Sequence, residues 1–432
     1  TGYNKVALLH NDGGKFFRDV TKESGIKTDG WSTSAAWGDV DNDGKLDLYV
    51  CRYVDFGPKS RQVCTTGSGI EKPTPSNAAA CPPTEYHAEI GILYRNDGNG
   101  RFTDVTKKWG LDNAQGNGLG AAFADFDGSG RQSLFVANDQ KAADFYVNEQ
   151  GHFKQIARSS GTAVLDDGTP YGGMGVDWGD YMNDGRLDLA VMDFMDQDKN
   201  IFHNEGNDLF SNRSVSLGMH DASYPWVTFG AKWIDYDNDG WLDLITSQAG
   251  VSDTMPLMVK TMHLPYRDEN TFEQPTVLYH NVGGTKFLDV SGGLVGKARR
   301  RIVGRGLAIG DYDNDGRMDV LVVDSEGKPL LLHNETPNAG HWLIVRLVGV
   351  KSNRDGLGAL IRVTAGDLKL VRLCQTDGSY MSASDKRVHI GLGQASAVQS
   401  LAVQWPGGHV DKLTNITADQ IITIVEGKGL SR

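Results

Sequence analysis

The feature that most constrains this chain is one aspartate-rich segment written five times: GDVDNDGKLDLYV (38–50), ADFDGSGRQSLFV (124–136), GDYMNDGRLDLAV (179–191), IDYDNDGWLDLIT (234–246) and GDYDNDGRMDVLV (310–322). Each follows a small, glycine-rich alternating segment: STSAAW, GLGAAF, GMGVDW, TFGAKW or GRGLAI. Each precedes a second signature, as in LYRNDGNGRFTDVT (93–106), FYVNEQGHFKQIA (145–157), IFHNEGNDLFSN (201–212) and LYHNVGGTKFLDV (278–290). The last copy, LLHNE (331–335), is cut short, and a further copy, ALLHNDGGKFFRDVT (7–21), opens the chain. Such a unit must stack on its neighbours to bury its apolar face. It reads as four short strands: the glycine-rich segment, the run after the aspartate turn, the LYRN run, and the run after an Asn/Asp/Gly hairpin turn. Four-stranded units repeated around an axis describe a β-propeller. A linear solenoid is the alternative, but it needs atypical capping repeats, and none is visible. The half-unit at 7–21 suggests ring closure, with N-terminal strands completing a last blade that loses its fourth strand near Pro337. Five blades are recognisable, and insertions at 52–91 and 248–276 leave room for six or seven.

The turn spells D-x-D-x-D-G-x-x-D. Alternating acids aim carboxylates at one centre, the glycine permits the sharp turn, the seventh residue offers a backbone carbonyl, and the ninth returns a carboxylate. Hard oxygen donors in this number suit Ca²⁺ better than Mg²⁺, which demands a smaller octahedron. An EF-hand shares the first half but needs a glutamate at position 12 and flanking helices; here an apolar residue and a strand follow. The first turn is complete, with Asp39, Asp41, Asp43 and Asp47 and the Lys45 carbonyl. So are the fourth (Asp235, Asp237, Asp239, Asp243, carbonyl of Trp241) and the fifth (Asp311, Asp313, Asp315, Asp319, carbonyl of Arg317). The second keeps Asp125 and Asp127 but has Ser129 and Ser133, with Arg131 at the carbonyl position. The third has Asp180, Asp184, Asp188 and Arg186, while Met182 removes one ligand. The expectation is three to five Ca²⁺ ions, each bracing its blade; the alternative is a set of metal-free Asp/Gly turns.

The chain has 432 residues, with room for two or more domains. Its formal net charge is −12, from 55 acidic and 43 basic residues. That balance argues against nucleic acid, whose phosphates need clustered Lys and Arg. No apolar run reaches the roughly 18 residues of a membrane span. The abrupt opening at Thr1 suggests that preceding residues were removed. Cys64 and Cys81 lie in one long polar loop, QVCTTGSGIEKPTPSNAAACPP, where a disulfide would supply a tether and imply an oxidising compartment. Two free thiols are the alternative. Zinc is disfavoured by the lack of C-x-x-C or paired-histidine spacing. Cys51 and Cys374 have no assigned role.

Residues 341–427 read as a β-sandwich: HWLIVRLVGV, ALIRVTAG, LKLVRLC, KRVHIGLG, SLAVQW and QIITIVE are alternating apolar runs split by turn residues. Within this part, Ala365–Asp367, Asp377–Tyr380, His389–Gly393 and Trp405–Gly408 resemble the signature segments of the ASPIC/UnbV domain, and the aspartate repeats resemble FG-GAP/VCBS repeats of integrin-type propellers. The whole chain is therefore similar to the family that includes cartilage acidic protein and many secreted bacterial proteins. The Cys64…Cys81-Pro-Pro loop also fits bacterial members. The resemblance implies a Ca²⁺-binding propeller over 1–336, a small transthyretin-like sandwich over 337–432, and a secreted or periplasmic location. The departures, Met182, Ser129 and Ser133, weaken two metal loops.

No nucleophile elbow, phosphate loop or zinc-protease motif occurs, so no catalytic residue is assigned. His10, His203, His280 and His333 recur at one position of the repeat, as packing and turn-bonding residues would. His220, Asp221 and His263 lie in or near irregular segments, either as solvated loop or as a general base. Lys297, Arg299, Arg300, Arg301 and Arg305 form a basic cluster, either a solvated turn or a site for an anionic glycan or acidic protein patch. Of Trp31, Trp37, Trp178, Trp226, Trp233 and Trp241, those just before the aspartate turns read as core, whereas Trp226 and Trp241 have the chemistry to stack on sugar. The leading functional reading is a secreted binding or adhesion module for a glycan or protein. The alternatives are a metal-dependent carbohydrate-active enzyme of lyase or dehydratase type at the propeller mouth, and a subunit of an extracellular assembly.

Overall fold

A computed structural model describes residues 1–251, 272–294 and 300–431, apart from 59, 61, 66–73, 75–77 and 80. The insertion 248–276 therefore lies mostly outside the described residues, as do His263, Lys297, Arg299 and the Asp221 side chain.

A hairpin of β1 (Leu9–Asn11) and β2 (Phe17–Asp19) opens the chain. The first repeat forms β3 (Ser32–Gly38) and β4 (Asp47–Arg52), then a short ribbon, β5 (Cys64–Thr65) and β6 (Ala78–Ala79), then β7 (Ile92–Gly98) and β8 (Arg101–Asp104). Strands β3, β4, β7 and β8 make one four-stranded antiparallel sheet. The second repeat makes another, from β9 (Gly118–Ala124), β10 (Ser133–Asn138), β11 (Asp144–Asn148) and β12 (Phe153–Gln155). The third follows with β13 (Val176–Gly179), β14 (Asp188–Val191), β15 (Asn200–Gly206) and β16 (Leu209–Asn212). The fourth has β17 (Thr228–Ile234), β18 (Asp243–Ala249), β19 (Glu273–Asn281) and β20 (Phe287–Asp289). The fifth stops at three strands, β21 (Gly304–Gly310), β22 (Asp319–Asp324) and β23 (Leu330–Leu332).

The glycine-rich first strands sit side by side in the order β3, β9, β13, β17, β21. Their glycines are needed for that approach: a Cβ on Gly120 would lie 2.1 Å from the Met174 carbonyl oxygen, and one on Gly175 would lie 2.1 Å from that of Phe229. The residue before each aspartate turn fills the gap between neighbouring sheets. Trp178 lies 6.0 Å from Phe126, centroid to centroid, and Trp233 stacks on Tyr181 at 5.7 Å. Aromatic pairs of this kind add to the area they bury.

One expectation is corrected. The hairpin β1–β2 forms its own two-stranded sheet and does not extend β21–β23. Its flanks, Val6 and Leu8, pack instead on Leu48, Val50 and Phe102 of the first sheet.

The remaining strands form two sheets. β24 (His341–Val348), β27 (Val388–Gly393), β30 (Gln420–Val425) and β31 (Gly429–Ser431) make one; β25 (Leu360–Ala365), β26 (Leu368–Leu373), β28 (Ala397–Gln404) and β29 (Val410–Thr417) make the other. A common core holds Leu343, Ile361, Leu401 and Trp405, with Cys374 in it as a buried thiol.

The segment between β26 and β27 leaves this sandwich and reaches the first strand of every repeat. Met381 N–H donates to Ser34 Oγ (2.9 Å), Phe123 N–H to Asp377 Oδ2 (2.9 Å), and Ile309 N–H to Ser384 Oγ (3.2 Å). Ser379 exchanges backbone hydrogen bonds with Val176. Lys232 Nζ donates to the Asp377 carbonyl (3.1 Å) and to Asp177 Oδ1 (2.6 Å), all three residues being buried. Removing one partner of such a pair strands the other charge. Lys232→Ala is therefore expected to lower unfolding stability by about 3–5 kcal/mol in denaturant titrations. The double variant Lys232→Met, Asp177→Asn should recover most of that loss, and equal losses for both would refute the pairing.

Candidate metal centres

Each aspartate turn is shaped by two left-handed backbone positions. The fourth residue has positive φ (Asn42, Asn183, Asn238 and Asn314 at 53° to 63°; Gly128 in the second turn), and so does the sixth, always glycine. Asn tolerates this conformation and Gly adopts it freely, which accounts for the recurring N-D-G. The turn wraps around its first aspartate. Asp39, Asp125, Asp180, Asp235 and Asp311 are all buried, and each accepts the glycine N–H at 2.9–3.0 Å. In the first, third and fifth turns the fifth-position N–H bonds the same carboxylate.

The ninth aspartate, expected from sequence to be a ligand, is first of all a brace. One oxygen of Asp47, Asp188, Asp243 and Asp319 accepts the N–H of the second turn residue, at 3.0–3.3 Å. The other accepts the N–H of the asparagine in the L-x-x-N run, at 2.8–3.0 Å. In the second repeat Ser133 Oγ takes the Asn148 N–H instead. That asparagine is a functional residue the sequence reading missed. Its side-chain amide ties the turn of its own repeat to the turn of the preceding one: Asn148 donates to the carbonyls of Gln132 and Val40, Asn204 to Leu187 and Phe126, Asn281 to Leu242 and Tyr181. Asn334 donates to the Tyr236 carbonyl. Its fixed recurrence after every aspartate turn was the available signal.

The three complete turns also gather carboxylates. Ligand oxygens of Asp39, Asp41 and Asp43 lie within 4.8 Å of one another, as do those of Asp235, Asp237 and Asp243, and of Asp311, Asp313 and Asp315. His280 joins Asp237 and Asp239 in such a group, and His333 joins Asp313 and Asp319. The recurrent histidine bonds the ninth aspartate of its own repeat, at 2.8 Å in His203–Asp188 and 3.0 Å in His333–Asp319. The fifth-position carboxylates are held by the seventh-position side chains in the pairs Asp43–Lys45, Asp184–Arg186 and Asp315–Arg317. The seventh-position N–H also donates to the fifth carboxylate in four turns, those of Lys45, Arg186, Trp241 and Arg317. Arg131 bonds the Asn148 carbonyl through Nε.

These groups fit a divalent cation. Asp125 Oδ1, Asp235 Oδ1 and Asp237 Oδ1 are buried with no hydrogen-bond partner, a costly state for a carboxylate. Burial pushes Asp39, Asp47, Asp125 and Asp180 up to about 7 and Asp243 up to about 6, and raises Asp235 further. A bound cation would relieve the cost by compensating the negative charge.

The other candidate residues disperse. Cys64 and Cys81 are disulfide-bonded, with Cα atoms 5.0 Å apart. His220 pairs with Asp198 at 2.5 Å. Arg300 pairs with Asp324 at 2.9 Å, Arg301 lies over Trp226, and Arg305 lies over Phe229. Trp241 is half-buried beside Gly284.

The raised carboxylates set a pH dependence for the chelated protein. Their folded pKa exceeds the unfolded value near 4, so their stabilising contribution is complete below about pH 4 and is lost as pH rises through about 6–7. Melting temperature in excess chelator should therefore fall from about pH 5 to pH 8. A rise across that window would overturn the assignment of these carboxylates as uncompensated.

Comparison with known proteins places these repeats. Residues 349–431 match the ASPIC and UnbV family model, and residues 1–50 and 125–191 match the FG-GAP-like repeat model. Mouse cartilage acidic protein 1 is 26% identical over 278 residues, covering 56% of this chain and 42% of that protein. The human protein is 22% identical over 371 residues, covering 72% and 53%. The chain thus spans about half the length of the relatives it matches. Among solved structures, an Agrocybe aegerita lectin that recognises non-reducing terminal N-acetylglucosamine aligns at 14% identity and TM-score 0.40, over 77% of this chain and 76% of the lectin. That likeness is too low to carry an argument. The family models identify the chain as one of FG-GAP-like repeats followed by an ASPIC and UnbV domain, distantly related to cartilage acidic protein 1.

Proposed function

We propose that this chain is an extracellular, calcium-braced propeller with a docked C-terminal sandwich (boundary near Pro337), serving as a binding or adhesion module for a glycan or protein. The observation that carries the metal half is the carboxylate cluster recurring in the first, fourth and fifth turns, with Asp235 Oδ1 and Asp237 Oδ1 of the fourth buried and unpartnered. Ca²⁺ accepts such irregular, carboxylate-rich sites, whereas Mg²⁺ requires a compact octahedron. The aspartates of the first, fourth and fifth turns would hold an ion each, and the depleted second and third turns would hold theirs more weakly.

The turns lie against the sandwich, which favours a bracing role for the ions. Arg387 donates to the Asp311 carbonyl (2.7 Å), Arg372 to the Gly240 carbonyl (2.8 Å), Gly407 N–H to the Gly130 carbonyl (3.2 Å), and Gln404 to Asp125 Oδ2 (3.3 Å). Recognition then falls to the opposite ends of the strands, where long connections leave a rigid scaffold. The disulfide in one of those connections supports an oxidising compartment. His203, His280 and His333, each engaged with the ninth aspartate of its own turn, give the enzyme reading no convergent acid–base pair.

Chelation should lower the melting temperature, and Ca²⁺ at about a hundred times its Kd should restore it, a shift of about 5 °C or more for a chain this size. Asp235→Asn should reduce the number of ions counted by calorimetric titration. A melt indifferent to chelator and Ca²⁺ would refute the bracing role.

A further inference from the structure

At the ends of the first strands away from the aspartate turns, one cluster of side chains belongs to no repeat motif. Leu119, Met174, Met195, Val227 and Phe229 form a buried apolar floor, and Tyr53, Phe194 and Tyr380 pack on it half-buried. They come from different repeats, and Tyr380 comes from the C-terminal segment that touches all five first strands. Its ring meets Phe229 edge-on at 5.1 Å, and the Arg305 guanidinium lies 4.0 Å from the Phe229 centroid on the same floor.

Three polar functions there have spare capacity. Arg305 donates only to the Gly304 and Gly250 carbonyls, and no carboxylate pairs with it among the described residues. Asp139 Oδ2 accepts from the Tyr53 hydroxyl at 2.6 Å, and its Oδ1 has no hydrogen bond among the described residues. The Tyr380 hydroxyl is likewise unbonded among them. Burial with only partial bonding is expected of groups that complete their shell with a ligand.

From Tyr53 an aromatic run leads outward. Trp31 lies 5.1 Å from Tyr53, Phe56 lies 5.6 Å from Trp31, and Tyr86 lies 5.7 Å from Phe56, all half-buried. The charges beside this run include exposed Asp55 and Glu85. Those two carboxylates would repel a polymer acidic at every unit. Neutral sugar faces would meet no such repulsion, and aromatic rings suit them. Arg305 supplies a cation at the inner end, where it matches one carboxylate.

We propose that this floor is a saccharide site: neutral sugar units lie along Tyr86, Phe56, Trp31 and Tyr53, and a single uronic acid meets Arg305, with Tyr380 and Asp139 Oδ1 bonding its hydroxyls. The site rests on the binding-module reading and specifies its ligand. Because Tyr380 belongs to the C-terminal part, the site is complete only when that part is in place.

The test uses the whole Ca²⁺-loaded chain in isothermal titration calorimetry. The probes are oligosaccharides joining one glucuronic or galacturonic acid to neutral sugars, the same oligosaccharides reduced at the carboxyl group, and an oligoglutamate peptide. The acidic oligosaccharide should bind. Carboxyl reduction and Arg305→Gln should each weaken it roughly tenfold or more, the loss of a charge-assisted hydrogen bond. Tyr380→Phe, which removes only a hydroxyl that bonds nothing among the described residues, should weaken it measurably with an unchanged melting temperature. Preference for the peptide, binding indifferent to Arg305→Gln and Tyr380→Phe, or no binding of any uronate probe would overturn the site. Binding of some other glycan or protein, unaffected by both variants, would overturn this site and leave the binding-module reading standing.

Discussion

The structure depends on how buried carboxylates are compensated. Every repeat places its first aspartate, and four repeats place a ninth, out of water, where a lone charge is expensive. Backbone N–H groups supply part of the compensation. Those of the turn glycine and of the fifth residue point inward because positions four and six accept positive φ. The N–H of the L-x-x-N asparagine arrives from the third strand and closes the ninth carboxylate. The turn itself and one asparagine of the third strand thus converge on two side chains, and the register of each sheet follows. The oxygens left over are what the proposed ions would meet.

The same asparagine converts a local knot into a long-range one. Its amide spans from its own turn to the carbonyl at position two of the preceding turn, with sequence separations near a hundred residues. Neighbouring sheets are fixed to each other at their turn ends by these bonds and along their lengths by the Trp and Tyr rings before and within the turns. The C-terminal segment 377–385 adds a third constraint, bonding to all five first strands. Repeats and sandwich therefore share one buried polar network, and a network of that kind specifies a single arrangement when every member is satisfied.

Much of this was legible from the chain alone. The five aspartate turns, the four-strand unit, the sandwich and the Cys64–Cys81 tether follow from periodicity and turn chemistry, which are local. The glycine-rich composition of the first strands is what lets them approach so closely, as Gly120 and Gly175 show. What was not legible is long-range. The hairpin at 7–21 carries the same letters as a third and fourth strand, yet nothing local says which sheet it meets, and it packs on the first. Asp377–Tyr380 reads as a turn-rich signature, and its reach into the repeats depends on where the sandwich docks. The ninth aspartates carry a ligand's spelling, but one of the two N–H groups that occupy each comes from the third strand, 15 to 49 residues away.

The two ends of the repeat strands are thereby given different physics. At the turn end, backbone N–H groups bond the buried carboxylates and arginines of the sandwich bond the turn carbonyls. At the other end, Arg305 and Asp139 retain bonding capacity, and rings of Trp31, Phe56 and Tyr86 remain partly open to solvent. Rigidity at one end lets the other hold groups in place without spending binding energy on ordering them. Tyr380 joins the two, since the segment that carries it is anchored by Asp377 and Lys232 beneath and presents its ring above. Loosening the turn end would therefore be felt at the proposed saccharide site through that segment, although the two lie at opposite ends of the strands.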